Sequence, residues 1–357
     1  MSSVTGNKLK LSIFGESHGE AIGCVIDGLP SGLKLDFEKI YKDLERRAPG
    51  RDKTATARYE KDIPRVLSGT LNGVTTGAPL AAVFENENTK SGDYDNMLKV
   101  PRPSHSDYPA YVKYGGNNDI RGGGHFSGRL TAPLVFAGAV AKQLLAERGI
   151  TVGAHIKQIG SVKDTPFDYN RVDKSLLDSL TSKSFSVTDG GAEEKMRLEI
   201  EKYRAGSNSV GGEIECAAIG LPVGLGGNIF DTVEGKLSAL LFSIPAVKGV
   251  QFGLGFGFKE ADGETVNDGY EIKDGKVSLL KNNNGGILGG MTSGAPLIVS
   301  VAIKPTPSIA RPQPSVNLET MENETLVISG RHDPCIVPRA VPVVEAAVAL
   351  GLADMIM

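Results

Sequence analysis

The chain has 357 residues, 40% hydrophobic and 23% charged, with a formal net charge of −3 and a pI near 6.0. This ordinary globular composition suffices for one large domain or two smaller ones and carries no basic field of the kind that draws in nucleic acid. Three widely spaced cysteines (Cys24, Cys216, Cys335) without a CxxC pair argue against a disulfide framework or structural zinc, and no apolar run approaches the ~20 residues of a membrane span. The opening residues lack an apolar leader and a cleavage site. The expectation is a cytoplasmic protein with neither nucleic acid nor membrane as partner.

In chain order, IGCVID (22–27) reads as a strand running into the turn GLPSGL. DFEKIYKDLERR follows, with Phe37, Ile40, Tyr41 and Leu44 at helical spacing and Asp36 in the N-cap position, predicting a helix. The Ala/Val/Leu-rich stretch 131–148 is apolar nearly all round and predicts a buried helix. Residues 150–204 are polar and irregular, a linking excursion. IECAAI (214–219) then predicts a strand, FDTVEGKLSALLFSI a helix capped by Asp231, PLIVSVAIK (296–304) a strand, and 340–356 a second buried helix.

These elements form two matching series. GEAIGCVIDGLPSGL (19–33) matches GGEIECAAIGLPVGL (211–225) at eight of fifteen positions, and GVTTGAPL (73–80) matches GMTSGAPL (290–297) at six of eight. Ser127-Gly128-Arg129 and Ser329-Gly330-Arg331 form a third pair in the same order. The fold class expected is therefore α+β: one pseudo-symmetric domain over 1–357 with an internal duplication (halves about 8–149 and 205–357). Two sheets would enclose two helical layers as a four-layer β/α/α/β sandwich.

Four of the five histidines stand among Gly, Arg and Asp: His18 in GESHG, His105 in RPSHSD, His125 in RGGGHF and His332 in GRHDP. Imidazole gives or takes a proton near neutral pH. Arg46, Arg47, Arg51, Arg58, Arg102, Arg121, Arg129, Arg331 and Arg339 gather in the same segments, and guanidinium binds phosphate or carboxylate through paired hydrogen bonds. Glycine is abundant, 45 residues, and its clusters let backbone N–H groups approach anions. GESHG also fits the GxSxG elbow of a hydrolase with Ser17 as nucleophile, but an elbow needs a helix directly after the serine, and a strand is expected here. A non-catalytic phosphate-binding protein is the third reading. No HExxH or paired CxxC offers a metal site, and GLGFGF does not complete a dinucleotide fingerprint.

FGESHG, RRAPG (46–50), RPSHSD (102–107), RGGG (121–124), SIPAVKGV (243–250), GGILGGMTSG (285–294), KPTPSI (304–309) and GRHDPC (330–335) together resemble the chorismate synthase family over nearly the whole chain. The resemblance implies a phosphate lyase of aromatic amino acid biosynthesis, dependent on reduced FMN, that converts 5-enolpyruvylshikimate 3-phosphate to chorismate by 1,4-anti elimination. It implies His18, His105 and Asp333 as catalytic groups and Arg46, Arg47, Arg129 and Arg339 as substrate-binding groups. For the flavin it implies His125, Phe126, Ser127, Ala246, Gly289, Lys304, Pro305, Thr306, Pro307, Ser308 and Arg331. Arg47 and Lys53 are the basic residues where the family faces NADPH, an intrinsic or indirect reductant of the flavin; an external flavin reductase is the alternative. A homotetramer is implied as well. The chain departs from the family pattern with RPSHSD for RPGHAD, Ala48 for a third arginine, and His125-Phe126 for Arg-Ser.

Overall fold

In the computed structural model, which describes residues 3–50, 54, 60–86, 99–328 and 333–357, the strands collect into two five-stranded antiparallel sheets. The first runs Val4–Thr5, Lys10–Gly15, Ala21–Asp27, Leu80–Glu85, Arg65–Ser68. The second runs Val247–Phe252, Leu297–Ile303, Gly212–Ile219, Thr151–Ile159, Val162–Lys163. Alternation along a strand puts Ile22, Cys24 and Ile26 on one face, and all three are buried.

The helices are α1 (Phe37–Arg47), α2 (Asp107–Tyr114), α3 (Thr131–Ala146), α4 (Lys174–Thr181), α5 (Gly190–Ala205), α6 (Val233–Ser243), the short α7 (Gly263–Val266) and α8 (Val337–Ile356). The buried faces of α1, α3, α6 and α8 share one core with both sheets, giving the β/α/α/β layering. α3 and α8 are apolar nearly all round because each lies between a sheet and the other helix. They pack closely at Gly138, where an added Cβ would stand 2.2 Å from Ala346 Cβ. Asp36 caps α1 by accepting from Glu38 N and Lys39 N (3.1 and 3.2 Å). In the second half the cap is Thr232 and not Asp231: Gly235 N donates to Thr232 Oγ1 (3.0 Å), while Asp231 pairs with Lys236 at 3.2 Å.

The repeat is visible bond by bond. Thr75 Oγ1 donates to Pro30 O and accepts from Leu33 N (2.6 and 2.9 Å); Thr292 Oγ1 does the same with Pro222 O and Leu225 N (2.5 and 2.9 Å). Bridges Lys34–Val74 and Gly226–Met291 also correspond. The strands beside Leu80–Glu85 and Leu297–Ile303 each carry a register shift, at Val66/Ser68 and Val247/Gly249. The repeat at 329–331 lies outside the described residues.

Residues 150–204 are only partly an excursion, which corrects the sequence reading. Thr151–Ile159 is an inner strand of the second sheet, beside Gly212–Ile219 as Lys10–Gly15 lies beside Ala21–Asp27. Its pairing partner is distant in sequence, so local pattern does not reveal it. The remainder turns back over that sheet, with Phe167, Val172, Leu177 and Leu180 packed on Ala217 and Ile298. Fully buried His155 pins it there, with Nδ1 2.8 Å from Asp164 Oδ2 and Nε2 3.2 Å from Glu215 Oε2. Asp164 also accepts from Thr188 N and Asp189 N.

Candidate active site

Gly122, Gly123 and Gly124 have φ of 61°, 89° and 53°, a left-handed run open to glycine at little cost. The run folds 121–127 onto the turn after Lys10–Gly15. Ser17 N donates to Gly124 O (3.2 Å), and Ser17 Oγ donates to Arg121 O (3.0 Å). Asn86 Nδ2 holds the same turn through Glu16 O and Gly19 O (3.0 and 2.9 Å). A Cβ at Gly122 would lie 2.4 Å from His18 Cδ2, and one at Gly123 3.5 Å from His105 Nε2. Missing side chains thus bring the two imidazoles to neighbouring peptides. The turn leads into the strand Ala21–Asp27, not a helix, and the Ser17 hydroxyl donates to a carbonyl, so the hydrolase elbow is not formed.

His105 Nδ1 is 2.6 Å from Asp107 Oδ1, and Arg102 grips Asp107 through Nε (2.7 Å), Nη2 (2.8 Å) and its main-chain N (3.1 Å). Burial would raise the Asp107 carboxyl; the bonds from Arg102 and His105 outweigh it and hold the group well below the usual carboxylate range. Near His18, the hydrogen bond from Arg121 likewise holds Asp119 low.

A second cluster forms where α1, the turn before α3 and α8 meet. Arg47 Nη1 is 3.2 Å from Asp62 Oδ2 and donates to Arg129 O at 3.5 Å. Arg339 Nε donates to Arg47 O, the last carbonyl of α1, at 2.9 Å. Arg129 pairs with Asp62 and with Glu60 (3.0 Å), and Arg339 pairs with Asp333. Burial pushes the Arg47 guanidinium down to about 10, and the like charges of Arg339 and Arg129 oppose the pull of Asp62.

The sequence groups Arg46 with these three, but the structure turns it away. Consecutive helix side chains diverge by about 100°. The Arg46 fork takes both Glu345 oxygens at 2.8 Å, with Asp43 at 3.1 Å. Lys142 Nζ completes the group, 2.9 Å from Asp43 and 2.5 Å from Glu345. Burial lowers the Arg46 pKa, yet Glu345 and Asp43 carry it above its ordinary value. Its charge is already satisfied within the helix layer.

Segment 304–308 joins the histidines to the second half. Lys304 Nζ donates to Ser104 O (2.5 Å) and Lys304 N to Ala246 O (2.9 Å), with Ala246 itself at φ 73°. Thr306 Oγ1 donates to Asp333 O (2.9 Å), Pro305 lies against Gly211, Pro307 O accepts from Gln313, and Ser308 is buried. Ser127 lies beside Gly123 and accepts from Arg129 N (3.3 Å). His125 instead bonds Gly15 O and Ser3 Oγ (2.8 and 2.9 Å), and Phe126 is 40% exposed against Tyr114. Gly289 is exposed, with open space where a Cβ would be. Lys53, Arg331 and His332 lie outside the described residues. Among the described residues no group of three His, Cys, Asp or Glu could hold a metal, and no helix is long and apolar enough to cross a membrane.

The family profile described as chorismate synthase matches residues 9–357. The chorismate synthase of Thermococcus kodakarensis is 48% identical over 352 residues, covering 99% of this chain and 97% of that protein. That of Dehalococcoides mccartyi (strain BAV1) is 43% identical over 355 residues, covering 99% and 96%. A crystal structure of a chorismate synthase aligns with a TM-score of 0.78 at 28% identity, covering 98% of this chain and 92% of that one. The chain belongs to the chorismate synthase family. It is a lyase of the chorismate-forming step of the shikimate pathway, and its α+β fold agrees with the family crystal structure. Three features of the site escaped the sequence reading. Asp107 stands two residues after His105 in one motif, a legible signal. Glu345 is the lone acid within an apolar stretch of α8, and a buried charge needs a partner. Glu60 and Asp62 reach the arginines by tertiary folding alone.

Proposed function

We propose that the enzyme expels phosphate from 5-enolpyruvylshikimate 3-phosphate by 1,4-anti elimination, with reduced FMN as cofactor. The observation that carries this reading is the convergence of Arg47, Arg129 and Arg339, far apart in sequence, in one largely buried cluster. A multiply charged anion would compete with Asp62, Glu60 and Asp333 for these guanidiniums, and Arg47, Arg129 and Arg339 are the groups that would take it.

The residues suit FMN. A Cβ at Gly122 would strike His18, so the glycine run sets both imidazoles against its backbone, where they would face a flavin ring. Lys304 and the hydroxyls of Ser308 and Ser127 would donate to a phosphate and a polyol chain, and Thr306, whose proton goes to Asp333 O, would accept. Ala246, Pro305, Pro307 and Gly289 would border it. Reduced flavin supplies transient electron density that eases cleavage of the C–O bond to phosphate. His18, buried in its turn, delivers a proton toward the departing phosphate oxygen. With the flavin bound, His105 would hold the protonation state of the ring and Asp333 would accept a proton from it. The buried turn around Ser17 and His18 keeps water from the reacting atoms. The reading extends, on family resemblance alone, to a cytoplasmic homotetramer whose flavin is reduced through NADPH or by a separate reductase.

The test is anaerobic turnover with chemically reduced FMN. Chorismate and phosphate should appear in equal amounts, and neither should form with oxidised flavin or without it. Absence of phosphate release with reduced flavin would refute the reading.

A further inference from the structure

The two nitrogens of His105 have different surroundings. Nδ1 is 2.6 Å from Asp107 Oδ1, whereas Nε2 and Cε1 form the edge turned toward Gly123. An ionised carboxylate accepts hydrogen bonds and cannot donate one. Asp107 is kept ionised: Arg102 and His105 overcome its burial and hold it well below the usual range. It opens α2 and is gripped by Arg102 at three points, so its position does not depend on a loose side chain. The Ser106 hydroxyl is the other group near Nδ1, and at 3.5 Å it does not compete with a contact of 2.6 Å.

We infer that Asp107 is a positioning residue that fixes His105 in the Nδ1–H tautomer. The nitrogen facing the Gly122–Gly124 bend therefore carries a lone pair whenever the ring is neutral, and a proton only when the ring is cationic. This rests on the role proposed for His105 and sharpens it. The neutral ring takes a proton or accepts a hydrogen bond from the site, and it gives a proton only as imidazolium. Arg102 and Asp107 cancel each other's charge, so protonating His105 turns one uncompensated positive charge toward the site. Lys304 Nζ, on Ser104 O, is a second cation beside the same segment. An anionic reduced ring is the partner that such a pair suits.

The tautomer itself is read with neither substrate nor flavin present. In a histidine-labelled sample at a pH where the rings are neutral, a long-range 1H–15N correlation spectrum reports which nitrogen of each ring is protonated. His105→Gln identifies the His105 signals. Nδ1 of His105 should be the protonated-type nitrogen and Nε2 the bare one; a wild-type ring protonated on Nε2 overturns the inference. In Asp107→Asn the amide can donate to Nδ1, so the tautomer should switch to Nε2–H, and an unchanged tautomer likewise overturns it. Should that variant fail to fold, the wild-type spectrum decides alone. Turnover of folded Asp107→Asn should fall about 10²–10⁴-fold, the range for misplacing a catalytic proton, and wild-type turnover would remove the positioning role. Wild-type turnover tests the proposed reaction separately, so failure of one leaves the other readable.

Discussion

Arg46 meets its counter-charges inside the helix layer, whereas Arg47, one residue on, shares Asp62 with Arg129 and is pushed down by burial to about 10. The two positions should therefore differ in what truncation does to substrate binding. Arg46→Ala strands Glu345 beside Lys142, and removing one partner of a buried ion pair costs about 3–5 kcal/mol. Denaturant melts should show that loss, with KM for the phosphorylated substrate close to wild type. Arg47→Ala likewise removes a buried partner, that of Asp62 at 3.2 Å, and should cost stability too. A hydrogen bond to a charged group is worth about 1.5–3 kcal/mol, so KM should rise roughly 10–100-fold. Equal KM effects in the two variants would contradict the division drawn between them. His18→Ala and His105→Ala should each lower single-turnover phosphate release about 10²–10⁴-fold. Only His105→Ala should alter the spectrum of bound reduced flavin. The motifs made the two histidines and the arginines legible in the sequence. The direction of Arg46 was not, because it depends on Glu345, 299 residues away.

At the scale of elements, His155 joins the excursion to the second sheet. Burial opposes its charge, but Asp164 and Glu215 raise its pKa above the ordinary value. A raised folded-state pKa stabilises fully below the unfolded value, near 6.5, and that contribution is lost as pH climbs through the folded value. Hydrogen exchange across 164–189, corrected for its intrinsic pH dependence, should therefore speed up as His155 loses its proton. His155→Gln should show fast exchange already at low pH. Slow exchange in that variant at every pH would separate the histidine from docking. α1, α3 and α8 were legible from apolar spacing because their burial follows from their own sequence. The strand Thr151–Ile159 was not, since only its long-range pairing with Gly212–Ile219 makes it a sheet strand. The cap of α6 fell one residue late for a similar reason: Asp231 and Thr232 are both good caps, and tertiary fit chose the hydroxyl.

Across the whole molecule, two helices apolar on nearly every side require a layer on each flank, and that requirement carried the sandwich from sequence to structure. The matched threonines make the duplication measurable. Thr75→Val and Thr292→Val each leave an N–H and a carbonyl unpaired, at about 1–3 kcal/mol apiece. Having no common partner, they should add within about 0.5 kcal/mol in the double variant. A double loss far from the sum would show that the halves do not respond independently. The likeness stops at the active corner. Where the first half has Glu16, Ser17 and His18, the second has Asn208, Ser209 and Val210. Ser209 donates its hydroxyl proton to Thr306 O, in the segment that reaches Ser104 through Lys304. A lone half would leave its long helix bare on one side and could persist only by pairing with a twin. Once both halves share a chain, one corner suffices for the chemistry, and its twin is free to drift into scaffolding that braces the working copy.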